Sequence, residues 1–328
     1  MARVVDVPTL VEGARAGEPR AVARLISLIE DGAPSLRAVA TALAPYTGRA
    51  RVIGLTGAPG VGKSTTTSAL ISALRERGLQ VGVLAVDPSS PFSGGALLGD
   101  RVRMQEHATD PGVFIRSMAS RGHLGGLAWS TPQAVRVLDA AGCDVILIET
   151  VGVGQSEVEV AALADSTVVL LAPGMGDAIQ AAKAGILEVG DVFAVNKADR
   201  EGADVTVREL RSMLALGRDH AGPEPGTWRP LIVKTIASTG DGIGDLVGAL
   251  DEHEAWSRAS GNDLRRRHRR AAAEIEALVL DQTRRELLTT AGDRLVDLAS
   301  AVVDGRLDPY AAADALREST VAGVAPTD

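Results

Sequence analysis

The sequence predicts an α/β fold: a mostly parallel sheet flanked by helices, with a helical extension before it and a helical arm after it. Two patterns carry this. From Arg51 to about Leu250, short apolar, β-branched runs alternate with helical stretches, as parallel strands joined by crossover helices do. On either side of that span the apolar spacing is helical. The expected organisation is a helical extension over residues 1–48, an α/β domain over 49–252 and a helical arm over 253–328.

The N-terminal region reads as three short helices, Pro8 to Ala16, Pro19 to Glu30 and Ser35 to Leu43, punctuated by Gly32-Ala33-Pro34 and Pro45. Six strands follow: Val52–Thr56, Val81–Val86, Val145–Ile148, Thr167–Ala172, Val192–Val195 and Leu231–Lys234. After them come helices from about Asn262 to Thr290, Gly292 to Asp304 and Pro309 to Glu318. In sheets of this kind ligands sit at the carboxyl ends of the strands, so the loops there carry the chemistry.

Behind the first strand stands Gly57-Ala58-Pro59-Gly60-Val61-Gly62-Lys63-Ser64-Thr65, a G-x-x-x-x-G-K-[ST] phosphate loop followed by a helical run from Ser64 to Arg77. Glycines let the backbone wrap a phosphate with its N–H groups inward, at the positive end of a helix. Lys63 is placed to reach the β- and γ-phosphates, and the Ser64 hydroxyl to bind Mg²⁺.

The second strand ends at Asp87, placed to hold Mg²⁺ directly or through water, or to orient the attacking water. Asp100, in a glycine-rich loop, can join when that loop closes. The third strand ends in Glu149-Thr150-Val151-Gly152, a metal-side carboxylate followed by a glycine whose N–H can sense the γ-phosphate. Valine, not a water-orienting glutamine, follows Gly152, so slow intrinsic hydrolysis is expected.

The fifth strand ends in Asn196-Lys197-Ala198-Asp199, an N-K-x-D motif. The Asp199 carboxylate can accept from guanine N1–H and the exocyclic amine, the Asn196 amide serves the N7/O6 edge, and the Lys197 stem covers the ring. Adenine lacks both donors, and a site built on such bonds rejects it by ~10⁴ or more. Thr235-Ile236-Ala237-Ser238, after the sixth strand, is a candidate loop whose N–H groups meet guanine O6. Between the fourth and fifth strands, Gly174 and Gly176 open a segment that can carry Asp177, Gln180 and Lys183 towards the site or a partner.

Composition sets limits. Of 34 basic residues only Lys63, Lys183, Lys197 and Lys234 are lysine, which singles out Lys183 beside the two motif lysines. A net charge of −8 argues against a broad nucleic-acid surface. The basic run Arg265–Arg270 reads as a solvated helix start or a partner contact. One cysteine, Cys143, leaves no internal disulfide and no Cys cluster. With no apolar run near the ~18 residues of a membrane span and no signal-peptide pattern, a soluble, cytoplasmic protein is expected. Aromatics make up 2%, so the core must be aliphatic.

Taken together these residues resemble the P-loop GTPases associated with methylmalonyl-CoA mutase. The resemblance runs over roughly residues 20–320 and is most specific at Val86–Ser90, Ser93-Gly94-Gly95 through Gly99-Asp100, Glu149–Glu157 and Gly174–Gly185. It implies GTP/GDP with Mg²⁺, Glu149 in place of the usual aspartate, and a homodimer formed through the C-terminal helices. It also implies a chaperone that gates adenosylcobalamin loading and protects an adenosylcobalamin-dependent acyl-CoA mutase, which stimulates hydrolysis. Gly174–Lys183 then looks like the switch coupling nucleotide to partner, with Lys183 stabilising transition-state charge. The competing expectation is a P-loop kinase or ATPase linked to amino-acid transport, which would prefer ATP. Metal insertion would need a Cys/His cluster, and signal-peptide targeting a methionine-rich domain; neither is in the sequence.

Overall fold

The computed structural model describes residues 5–87, 104–119, 130–150, 156–174, 186–221 and 226–322. Three helices lead: α1 Val7–Arg15, α2 Pro19–Glu30 and α3 Leu36–Leu43. Pro8 and Pro19 stand in the first turns of α1 and α2, where a missing N–H costs nothing, and Asp6 caps α1 by accepting from the Thr9 N–H. The α/β portion runs β1 Arg51–Gly57, α4 Lys63–Glu76, β2 Val81–Asp87, β3 Val113–Ala119, α5 Thr131–Ala140, β4 Val145–Thr150, α6 Ser156–Leu163, β5 Ser166–Leu171, α7 Ile186–Val189, β6 Val192–Asn196, α8 Ala203–Ala221, β7 Leu231–Thr235 and α9 Ile243–Ala259. Then come α10 Asn262–Ala291, α11 Arg294–Val303 and α12 Pro309–Ala322.

The strands form one seven-stranded sheet, ordered β3-β2-β4-β1-β5-β6-β7, with every pairing parallel. The six strands expected from sequence are all present; β3 is an addition. It is an edge strand, paired only with β2, and Arg116 and Ser117 break its apolar run, so it lacks the uninterrupted look of a central strand. Arg116 reaches Ser27 and Glu30 of α2, tying the N-terminal helices to this edge.

One face of the sheet is covered by α1–α3, α5 and α6 around Leu25, Ile26, Leu84 and Ile148, all buried. The other is covered by α4 and α9 around Ile53, Leu55, Leu70 and Leu246, while α8 packs beside Phe193 on the first face. Central strands covered on both faces must be apolar throughout, which is why β4 and β6 read as continuous runs.

The chain divides into two compact units, residues 1–266 and 267–328. Helix α9 runs unbroken through the 252/253 boundary expected from sequence, and Leu250, His253 and Ser257 are buried in the first unit. In the second unit, Ile275, Leu278, Val279 and Leu280 of α10 are exposed. Among the described residues no helix is long and apolar enough to cross a membrane.

Candidate functional site

All strands run the same way, so the carboxyl ends of β1, β4, β6 and β7 meet at one edge of the sheet. The phosphate loop leaves β1 there. Gly57 has φ 143°, and a Cβ on it would lie 2.3 Å from the Leu170 carbonyl oxygen. Gly62, the residue before α4, has φ 101°, and a Cβ there would lie 2.4 Å from Asn196 Nδ2. Both positions therefore require glycine. Gly62 also brings no side-chain oxygen to cap α4, so the positive end of the helix faces the loop interior.

Both motif lysines rest on this loop. Lys63 Nζ donates to the Gly57 and Ala58 carbonyls at 2.8 and 3.1 Å, and Lys197 Nζ donates to the Gly60 carbonyl at 2.5 Å. Lys197 has φ 57°, the one positive φ among non-glycine residues described, a conformation that costs about 1–3 kcal/mol and marks functional loops. Lys234, by contrast, pairs with Asp204 at the surface.

Asn196, nearly fully buried, clamps three loops. Its Nδ2 donates to the Val61 carbonyl at 2.8 Å, and its Oδ1 accepts from the Ala237 N–H at 3.0 Å and the Thr235 hydroxyl at 3.2 Å. The Ala198 N–H donates to the Thr235 carbonyl, closing the same corner. The phosphate loop, the N-K-x-D turn and the 235–238 loop thus form one hydrogen-bonded unit. One Asn196 amide hydrogen is left over for a ligand. Asp199 is exposed beside it, and Ile236 bridges to Asp241.

Glu149, at the end of β4 opposite Leu55 of β1, is 2% exposed. One carboxylate oxygen accepts from the Ser64 hydroxyl at 2.7 Å and the other from the Thr67 hydroxyl at 2.8 Å. Hydroxyl and carboxylate oxygens are hard donors. Among the described residues no three His, Cys, Asp or Glu side chains cluster, so there is no all-protein cage. That donor set fits Mg²⁺, which keeps several waters and takes few protein ligands beside substrate phosphates.

Asp87 is the last residue of β2, and Gly174 turns with φ 80° after β5. Asp100, Gly152, Gly176, Asp177, Gln180 and Lys183 lie outside the described residues.

Two features escaped the sequence. Thr67 stands three residues after Ser64, the spacing that shares a helix face, and that spacing was the available signal. His107 is buried with Nε2 2.9 Å from the Ser68 hydroxyl, and nothing in the sequence points to that contact.

A family profile described as methylmalonyl Co-A mutase-associated GTPase MeaB matches residues 22–291. A Pyrococcus horikoshii protein bearing a GTPase name is 46% identical over 315 residues, covering 96% of this chain and 98% of its own. The Escherichia coli protein named GTPase ArgK is 37% identical over 265 residues, 79% of this chain and 80% of its own. Among solved structures, one described as LAO/AO transport system kinase superposes with a TM-score of 0.71 at 27% identity, covering 97% of this chain and 98% of that one. The chain belongs to the methylmalonyl Co-A mutase-associated GTPase MeaB family.

Proposed function

We propose that this protein binds and hydrolyses GTP and uses the cycle as a chaperone for an adenosylcobalamin-dependent acyl-CoA mutase, gating cofactor loading and protecting the enzyme. The observation that carries the nucleotide half is the Asn196 clamp, which makes a phosphate loop and a guanine-reading turn one rigid unit at the carboxyl edge of the sheet. Family membership supports the mutase half.

In this reading the amides of Gly57–Thr65 cradle the phosphates, and Lys63 moves from the loop carbonyls to the β- and γ-oxygens as they arrive. Ser64 and Glu149, with Asp87 and Asp100, hold Mg²⁺; when bound, the ion neutralises charge developing on the phosphates. Asp199 accepts from guanine N1–H and the exocyclic amine, and Lys197 covers the ring. The 236–238 loop serves the O6 edge through the Ser238 N–H, since those of Ile236 and Ala237 are donated to the Asp241 carbonyl and Asn196 Oδ1. Gly152 senses the γ-phosphate. Gly174–Lys183 relays nucleotide state to the mutase, and Lys183 adds charge at the transition state or couples the partner. The exposed apolar residues of α10 support a homodimer formed through the C-terminal helices. Valine rather than a water-orienting glutamine follows Gly152, so turnover without a docked partner is slow. The protein works in the cytoplasm, with neither nucleic acid nor membrane as partner.

The test is GTP turnover by the purified protein with and without a purified adenosylcobalamin-dependent acyl-CoA mutase. Slow turnover alone and a marked rise with the mutase are expected; the same rate in both arms would remove the chaperone role. A kinase linked to amino-acid transport would instead prefer ATP and phosphorylate an acceptor; the solved relative is described as a transport system kinase.

A further inference from the structure

We propose that Thr67 is a positioning residue for the magnesium site, acting through Glu149. This rests on the guanine-nucleotide reading above and deepens it. Ser64 and Thr67 sit on consecutive turns of α4, about 4.5 Å apart along the helix axis by the ordinary rise per residue. Glu149 reaches across from β4 and accepts from both, one oxygen to each hydroxyl. The carboxylate therefore has a fixed plane and a fixed rotamer, set by Thr67 on one side.

The consequence falls on Ser64. Its hydroxyl has one proton and two lone pairs; donating that proton to Glu149 at 2.7 Å turns the lone pairs away from the carboxylate. A Ser64 oxygen aimed in this way is a better cation ligand than a freely rotating one. Thr67 also has a choice of acceptor, the Lys63 carbonyl at 3.0 Å or Glu149 at 2.8 Å, and the shorter contact to a carboxylate is the stronger. The pair also accounts for glutamate where related loops carry aspartate. The extra methylene lets a strand-end carboxylate reach two turns of the helix at once, and a shorter side chain would serve Ser64 alone or neither.

Groups that orient metal ligands typically set metal affinity by about 10–100-fold without touching the ion. The experiment measures binding of a fluorescent, non-hydrolysable GTP analogue to the full-length protein across a Mg²⁺ titration and in EDTA. Wild type, Thr67→Val and Thr67→Ser are compared. For Thr67→Val, a nearly isosteric change, the Mg²⁺ concentration at half-effect should rise about tenfold or more, while affinity in EDTA stays within about twofold of wild type. Thr67→Ser, which keeps the hydroxyl, should restore the wild-type midpoint. Should the valine variant fail to fold, Thr67→Ala removes the hydroxyl without placing a second methyl against Glu149 and reads the same quantity. A hydroxyl-less variant with the wild-type Mg²⁺ midpoint overturns the proposal and leaves the GTPase reading standing. A drop in EDTA affinity equal to the drop in Mg²⁺ also overturns it, by making Thr67 a general structural residue. Wild type that does not bind the analogue at all sinks the underlying reading, and this one with it.

Discussion

The two ends of the sheet hold similar buried polar clusters with opposite meanings. At the carboxyl end, Glu149 is 2% exposed and accepts from Ser64 and Thr67. At the amino end, Asp191 is 6% exposed and takes a fork from Arg266, at 2.7 and 2.8 Å, plus the Thr167 N–H at 2.8 Å. His253 lies between them and Ser166, with Nδ1 2.8 Å from the Ser166 hydroxyl and Nε2 3.3 Å from Asp191. Taken alone, Ser166, His253 and Asp191 have the residue types of a nucleophilic triad. Yet Ser166 and His253 are 1% and 0% exposed, and Trp228 and Trp256 close over the histidine with centroids at 4.9 and 5.6 Å. No substrate reaches it. Burial and residue type therefore do not separate a site from a scaffold here. What separates them is the end of the strands on which they stand, and whether the carboxylate's partners are neutral hydroxyls or a cation already in place.

That contrast can be tested by breaking each end in turn. The largest effect is expected at the open end. Asp199→Asn should lower GTP affinity by up to about 10⁴-fold and raise affinity for xanthosine triphosphate, measured by competition against a fluorescent nucleotide. An unchanged preference would show that the exposed carboxylate does not read the base.

At the closed end Asp191→Ala leaves half-buried Arg266 and buried His253 without the carboxylate they share. Removing one partner of such a pair costs about 3–5 kcal/mol, read as a lowered urea midpoint, while GTP turnover per folded molecule should stay at the wild-type rate. Loss of turnover without loss of stability would merge the two ends and undo the comparison.

A smaller effect follows from acid. Burial alone would raise the Asp191 carboxyl pKa, but His253 and Arg266 outweigh it and hold it below the usual carboxylate value. A depressed folded-state pKa stabilises above the unfolded value, near 4, and that contribution is lost as pH falls through the folded pKa. Stability should therefore drop with acid below about pH 4, and Asp191→Asn should flatten that part of the profile. An equally steep acid profile in the variant would assign the drop to other carboxylates.

The smallest change concerns Cys143, just ahead of β4 at the closed end. Burial, with Asp144 and Asp139 nearby, pushes its thiol up to about 12, so almost no thiolate forms at neutral pH. Iodoacetamide at pH 8 should leave the folded protein unlabelled over the time that fully labels it in urea. Rapid labelling of the folded chain would show that this end opens.

The open end was largely legible in the sequence because the phosphate-loop and N-K-x-D motifs put unusual residues at fixed spacings. Gly57, Gly62, Lys63, Ser64 and Asn196–Asp199 announce themselves by type. Four lysines among so many arginines sharpened this, since Lys63 and Lys197 both put their ammonium groups on phosphate-loop carbonyls. The closed end was not legible. Arg266 belongs to a basic run that looks solvated, and Asp191, Ser166 and His253 are brought together from separate strands and a helix by the parallel topology alone. Edge strand β3 was missed for a related reason: it pairs with the sheet on one side only and sends Arg116 to α2, so its sequence is mixed. Helix ends, by contrast, followed the prolines and glycines closely, as at Pro19–Glu30 and Asn262–Ala291.

Everything functional here depends on the open end holding a guanine nucleotide. The direct measurement is a competition titration of the purified wild-type protein with GTP and with ATP against one fluorescent guanine nucleotide, in Mg²⁺. The account predicts displacement by GTP at concentrations orders of magnitude below those needed of ATP; matched displacement curves would contradict it.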